Sequence, residues 1–411
     1  MKALLLFLVL AGGSAEARQW TIYLYMEASD SYVEACTSVR QLQDALKDDL
    51  EGRIAVHVDI QVGTSAERII IERGTSSHTT VEVPFKRLEF LKEGVRGAFS
   101  SATEGNSLLI VSGHGTGILA PTFDSAQQKW LYEPDEGRSP CKRYCDVRIK
   151  EFYRQIEHIM NGKSMLVARA GGSFLSIHDL HELTSYATSV LQRKLDILGF
   201  DSCYMAMLEV AYQIKDTVHY LVASQDCEEK DGWDYKKVIE SLSEYSALRA
   251  GKRLVYSYER SQILKGHERF SLSLLDLTSM NYLAEVIDKL VNTILQIDHL
   301  TEILCRARLS LHPVTALPFY VDMRESIEAL YAELMEHQLT PDTELLISEL
   351  LHAREVLSLM VDASVAGPLC KTLQGCSWYF PLSHIDSSYA GSFANERQWM
   401  NFLRYFTSGI H

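Results

Sequence analysis

Lysine and arginine never occur more than two in a row, and the 40 of them are outnumbered by 54 aspartates and glutamates, for a formal charge of −14. That balance argues against a nucleic-acid partner and favours basic peptides or metal cations. Only nine prolines and 23 glycines occur in 411 residues, which excludes a collagen-like or low-complexity chain. Beyond the first residues no apolar run reaches the roughly 18 residues that a membrane span needs. What is present is ordinary for a globular protein: 46% hydrophobic and 23% charged residues. At about 150 residues per domain, two or three domains are expected.

The first 17 residues, MKALLLFLVLAGGSAEA, read as an address rather than as structure. Lys2 precedes an apolar run, and Ala15-Glu16-Ala17 fits the small-x-small rule for cleavage before Arg18. The expectation is a signal peptide over 1–17 and a secreted or periplasmic product. Eight cysteines (36, 141, 145, 203, 227, 305, 370 and 376) would then meet an oxidising compartment. Cys141/Cys145 and Cys370/Cys376 are candidate local bridges. They could equally form a thiol cluster for zinc, although C-x3-C and C-x5-C lack knuckle spacing.

Buried-strand patterns occur at Trp20–Met26, Ile54–Val62, Ser107–Ser112, Leu195–Phe200 and His219–Ser224, with a short strand at Arg68–Arg73. Helical patterns cover 30–50, 87–100, 148–160, 176–193 and 203–214, and a loop-rich stretch runs over 120–147. The alternation predicts an α/β sheet, mainly parallel, with helices on both faces. After residue 250 the texture changes. Phe270–Leu277 and Ser377–Pro381 read as strands, and 279–296 and 324–362 as long helices. This divides the chain into 18–250 and a smaller α/β lobe over 251–411, with SWYFP also able to return to the main sheet.

Two loops carry chemistry. SLLIVSGHGTG delivers His114 at the C-terminal end of a strand, the edge where open α/β sheets bind ligands. Gly115 lets the backbone approach a substrate and aim an N–H at an oxyanion. LDILGFDSCYMAMLEVAY delivers Asp201-Ser202-Cys203, and the pattern predicts a helix starting there at once. Its dipole would stabilise a Cys203 thiolate, and the Cys203 N–H would be a second oxyanion donor. An imidazole and a thiol at one sheet edge suit nucleophilic acyl transfer. The glycine run is not a dinucleotide fingerprint, because the spacing differs from G-x-G-x-x-G and ILAPTF opens no helix.

These blocks resemble the clostripain-like family of cysteine peptidases, of the caspase-like clan. The resemblance is carried by LLIVSGHGTG, by LGFDSCYMAMLEVAYQIKD 89 residues later, by HYLVASQDCEEKDGWDY and by GCSWYFP. It covers most of 18–245 and, more weakly, the remainder. Ser202 stands where the family most often has alanine. The resemblance implies a caspase-like α/β sandwich and a Cys203/His114 dyad. Cys203 is then the nucleophile, His114 the acid/base, and the Gly115 and Cys203 N–H groups the oxyanion hole. It also implies an endopeptidase cleaving after Arg or Lys, which demands acid in the S1 pocket. Asp201 and Asp231 fit that demand, with Asp226, Glu228, Glu229 and Asp234 as neighbours and Trp233 as a candidate wall.

The family is made as a zymogen cut between the His and Cys loops. Among the basic residues there (Arg138, Lys142, Arg143, Arg148, Lys163 and Arg169), Arg169-Ala170 is favoured, because ARAGGS is small and flexible. A monomer is expected, in two chains after self-cleavage. No cofactor is expected. Some relatives use calcium, but no D-x-D-x-D-G loop is present and no site is assigned. His178 and His181 lack H-E-x-x-H spacing and read as an exposed helix face. The rival readings are an inactive caspase-like binding protein and a metal- or nucleotide-binding α/β protein.

Overall fold

The computed structural model describes residues 18–29, 31–84, 86–102, 104–119, 122–124, 129–131, 175–243, 246–314, 317–389 and 391–408. The expected signal peptide, the 148–160 helix, Cys141, Cys145 and the Arg169-Ala170 bond lie outside them.

The apolar, β-branched runs form one nine-stranded sheet. Its members are β1 (Trp20–Glu27), β2 (Ile54–Val62), β3 (Ser65–Glu72), β4 (Thr75–Glu82), β5 (Asn106–Ser112), β8 (Leu195–Asp201), β9 (Val218–Ala223), β10 (Ser271–Asp276) and β13 (Val361–Ala366). The strand order is β13-β10-β9-β8-β5-β1-β2-β3-β4. A two-stranded hairpin of β6 (Thr122–Asp124) and β7 (Lys129–Leu131) lies apart from it. The five strands β2, β1, β5, β8 and β9 run parallel. Two antiparallel strands flank them on each side. β1 is buried along its whole length, as a strand covered on both faces must be. The outermost strand, β4, is TSSHTTVE and almost wholly exposed. Its polar side chains suit a solvated edge and give no alternation from which a strand could be read.

Helices cover both faces. Tyr32–Leu46, Tyr235–Ser241 and Ala247–Leu264 enclose one core with Trp20, Leu24, Val56, Leu108 and Trp233. Arg87–Phe99, Ile177–Leu191, Leu208–Ile214 and Met280–Gln296 enclose the other. The fold is therefore the expected α/β architecture with a largely parallel central sheet.

The division at 250/251 falls inside helix Ala247–Leu264, and β10 and β13, from beyond it, extend the main sheet. The expected long helix over 324–362 is two, Met323–Met335 and Pro341–Met360, because Pro341 starts the second under a Thr340 capping box. A three-stranded sheet of β11 (Pro313–Val314), β12 (Leu317–Asp322) and β14 (Ser377–Tyr379) holds the SWYFP segment, which thus does not rejoin the main sheet. Trp378 stacks on Trp399 at 4.1 Å between ring centres, which anchors the last helix, Trp399–Ser408. Among the described residues no helix is long and apolar enough to cross a membrane.

Candidate active site

β5 and β8 are parallel neighbours with Ser112 opposite Asp201, so both deliver their following loops to one sheet edge. The Gly113 N–H donates to the Asp201 carbonyl (3.2 Å) and ties the two loops together. His114 follows, exposed to solvent. Gly115 lies directly on the Cys203 backbone. A Cβ added there would sit 2.0 Å from the Cys203 carbonyl oxygen and 2.9 Å from its nitrogen, a space open only to glycine. The Thr116 carbonyl accepts from the Tyr320 hydroxyl (2.7 Å), which itself accepts from the Leu119 N–H (3.1 Å). Residues 116–119 are thereby pinned to β12.

The Cys203 loop departs from expectation. The helix begins at Leu208, not at Cys203, so the nucleophile candidate has no helix N-terminus beneath it. The reason is tertiary pairing. Tyr204 takes a positive φ of 61°, and the Tyr204 and Ala206 N–H groups donate to the Asp226 and Ser224 carbonyls (3.2 and 2.9 Å). Ala206 also accepts from Ser377 of β14. The left-handed backbone at Tyr204, held by this pairing, breaks the helical run.

The segment after β9 therefore lies along Cys203. Its Glu228 N–H donates to Cys203 Sγ (3.2 Å), and Cys227 Sγ lies 2.7 Å from the Tyr204 hydroxyl. Interaction with the Cys227 side chain, and then burial, push the Cys203 thiol well up, where the expected helix would have pushed it down.

Asp201 is buried and accepts from the Tyr235 hydroxyl (2.8 Å), the Trp233 N–H (3.2 Å) and the Ser112 hydroxyl (3.3 Å). Sequence reasoning named Glu228 only as a neighbour, yet its carboxyl meets that of Asp201. Burial, followed by the Asp201 charge and a hydrogen bond to it, raises Glu228 well above the usual carboxyl range. Burial raises Asp201 too, opposed by the hydrogen bonds from Glu228, Tyr235, Trp233 and Ser112. Each carboxyl disfavours the charge of the other, so the pair is pushed toward the protonated form. Glu228 Oε2 is buried without a hydrogen-bond partner among the described residues. Glu228 Oε1 accepts from Trp233 Nε1 (3.3 Å).

Asp231 is placed elsewhere. Its carboxylate pairs with Lys265 at 2.6 Å and its side chain is 45% exposed, whereas Asp201 is buried. Gly232 instead closes over Asp201. A Cβ there would lie 2.8 Å from both carboxylate oxygens, at a φ of 56° that favours glycine. Trp233 is buried against Gly199, so it is a wall of this acidic chamber. Asp226 is also buried, and accepts from Arg269 Nε and Cys370 Sγ, both at 3.0 Å. Asp234 caps helix Tyr235–Ser241 by accepting from the Lys237 N–H.

A cleft of about 120 Å³ opens on the His114 side. Tyr25, Glu27, Ser112, His114, Ser202 and Met205 are among its walls, so it borders the Cys203 loop. Elsewhere the expected Cys370–Cys376 bridge is absent. Both thiols are free and buried, Cys370 on Asp226 and Cys376 facing the Ser377 carbonyl. His178 and His181 lie on an exposed helix face, with His181 Nδ1 3.0 Å from the Gln213 carbonyl. Among the described residues no three His, Cys, Asp or Glu side chains gather as a metal site.

The family description "Clostripain family" matches residues 168–365. In structure the chain is similar to a secreted C11 cysteine protease from Bacteroides thetaiotaomicron, with 15% identity, a TM-score of 0.63, and 94% of this chain and 99% of that one covered. The B. thetaiotaomicron protease in complex with an irreversible peptide inhibitor gives 14% identity and a TM-score of 0.64, again over 94% of this chain and 99% of that one. An inactive zymogen C11 protease from Parabacteroides distasonis gives 13% identity and a TM-score of 0.59 over 93% of this chain and 97% of that one. Comparison with curated protein sequences found no match. The fold around the two loops is thus that of the C11 proteases, and the clostripain-family match over residues 168–365 takes in Cys203 and the segment facing it.

Proposed function

We propose that the chain is an exported endopeptidase that cleaves after Arg or Lys, with Cys203 as nucleophile and His114 as general acid/base. The observation that carries this reading is the seating of Gly115 on the Cys203 backbone, which holds the His and Cys loops at one sheet edge. The Cys203 thiolate attacks the scissile carbonyl, and the Gly115 and Cys203 N–H groups receive the developing oxyanion. His114 protonates the leaving amine, and water then hydrolyses the acyl-thioester.

The P1 cation belongs with Asp201, and Glu228 adds a second carboxyl to the same chamber. A guanidinium or ammonium entering there would favour the charged form of both carboxyls and pair with them. Asp231, tied to Lys265, contributes at the rim. In the present arrangement Gly232 seals Asp201, and the Cys203 thiol is held protonated by Cys227. Both features suit a latent enzyme, and a cut after Arg169 is the activating step that fits them. Export by a signal peptide over 1–17 belongs to the same reading.

The test is labelling with an arginyl chloromethyl ketone. One equivalent on Cys203, absent from Cys203→Ala and outcompeted by Arg peptides, is the expected result. A protein that stays unlabelled, even after trypsin nicking of the 130–172 region, would instead be an inactive binding protein.

A further inference from the structure

The segment facing the nucleophile is paired with it in a definite register. Tyr204 N–H to Asp226 O and Ala206 N–H to Ser224 O run antiparallel, which sets Cys203 opposite Cys227. Opposed residues in such a pairing have Cα atoms about 4.5–5.5 Å apart. A disulfide needs about 4.4–6.8 Å, the range in which an ideally opposed pair falls. The Glu228 N–H, next in the chain to Cys227, donates to Cys203 Sγ, and the Cys227 side chain is the group that acts most strongly on the Cys203 thiol, so the two thiols are neighbours. Both cysteines are reduced and partly exposed, whereas Cys305, Cys370 and Cys376 are buried. Of the described cysteines, only Cys36 is also partly exposed, and it lies on helix Tyr32–Leu46.

We propose that Cys203 and Cys227 are a reversible dithiol site that takes a disulfide, closing the nucleophile to substrate. The co-reactant is a low-molecular-weight disulfide. The Cys203 thiolate attacks one of its sulfurs and expels the first small thiol, leaving a mixed disulfide on Cys203. The Cys227 thiolate then attacks the Cys203 sulfur and expels the second. In sum two protein thiols are oxidised, one small disulfide is reduced to two thiols, and the two protons pass to the departing thiolates. Tyr204, whose hydroxyl touches Cys227 Sγ, positions that side chain. The bond itself rests on this geometry alone. Its effect on turnover rests on the reading of Cys203 as the nucleophile.

The experiment incubates the full chain with oxidised glutathione, then alkylates and maps the peptides by mass. The expected result is a Cys203–Cys227 cross-linked peptide, a mass lower by two hydrogens, loss of Cys203 alkylation, and recovery of all three with dithiothreitol. Cys227→Ser should instead accumulate a glutathione adduct on Cys203. A wild type that carries the stable adduct, that links Cys203 to another cysteine, or whose Cys203 and Cys227 both stay alkylatable at every oxidant level, would overturn the proposal. Because this readout is covalent, it can succeed where peptide hydrolysis fails, and the two claims fall separately.

Discussion

Gly115→Ala is the substitution on which the site geometry bears most heavily. The new Cβ would stand 2.0 Å from the Cys203 carbonyl oxygen, and ordinary contact begins at 3.4 Å. The difference, about 1.4 Å, must be met by one of two backbones, since no flexible side chain lies between them. A shift near 1 Å among reacting groups costs about 10²-fold in rate. Losing one oxyanion donor costs about 10²–10³-fold, or about 3–4 kcal/mol of transition-state stabilisation. The expected fall is therefore about 10²–10³ in kcat, with KM little changed. Gly97→Ala is the control. It lies exposed in helix Arg87–Phe99 with nothing within 4 Å of its Cβ, and should stabilise by about 0.5–1 kcal/mol without touching kcat. The assay is steady-state peptide hydrolysis beside thermal unfolding. A folded Gly115→Ala enzyme retaining kcat within threefold would refute the reasoning.

Four further variants test the same account. Glu209 is buried on the Tyr379 N–H and Tyr389 hydroxyl, and burial raises its carboxyl from 4.5 to about 7. The native state then holds a proton that the unfolded chain has lost, so stability falls as pH rises from 4.5 through 7. The loss reaches about 3 kcal/mol. Glu209→Gln should match wild type at pH 4 and exceed it at pH 8 in denaturant unfolding; equal pH dependence would count against the assignment. Asp201→Asn should cut kcat/KM on Arg peptides by at least about 10²-fold, because a buried pairing group is lost. Asp231→Ala, which removes a half-exposed partner of Lys265, should cost less than about tenfold, and the reverse ranking would return Asp231 to the pocket. Arg169→Ala should leave the full-length chain uncut during purification, and a mutant that still breaks at that bond would remove Arg169 from the account.

The two loops were legible because SLLIVS and LDILGF are apolar, β-branched runs closed by glycine or a polar turn, the pattern of central parallel strands. The helix after Cys203 was misread for a physical reason. Met207, Leu208, Ala211 and Ile214 do share a face, but the preceding N–H groups are claimed by Ser224 and Asp226, a pairing that periodicity does not encode. The same fold-back hides Glu228, which has no motif and meets Asp201 only because the chain after β9 returns along Cys203. Nothing in the sequence ties Asp231 to Lys265, 34 positions on, with which its carboxylate pairs. β4 was missed because an exposed edge strand carries no apolar alternation.

The most direct measurement is hydrolysis of matched fluorogenic peptides ending in Arg, Lys, Asp or Ala, with wild type beside Cys203→Ala, before and after controlled trypsin nicking. Turnover confined to the Arg and Lys peptides and abolished in the mutant is the predicted result. Equal turnover of all four, or turnover that survives Cys203→Ala, would contradict the account.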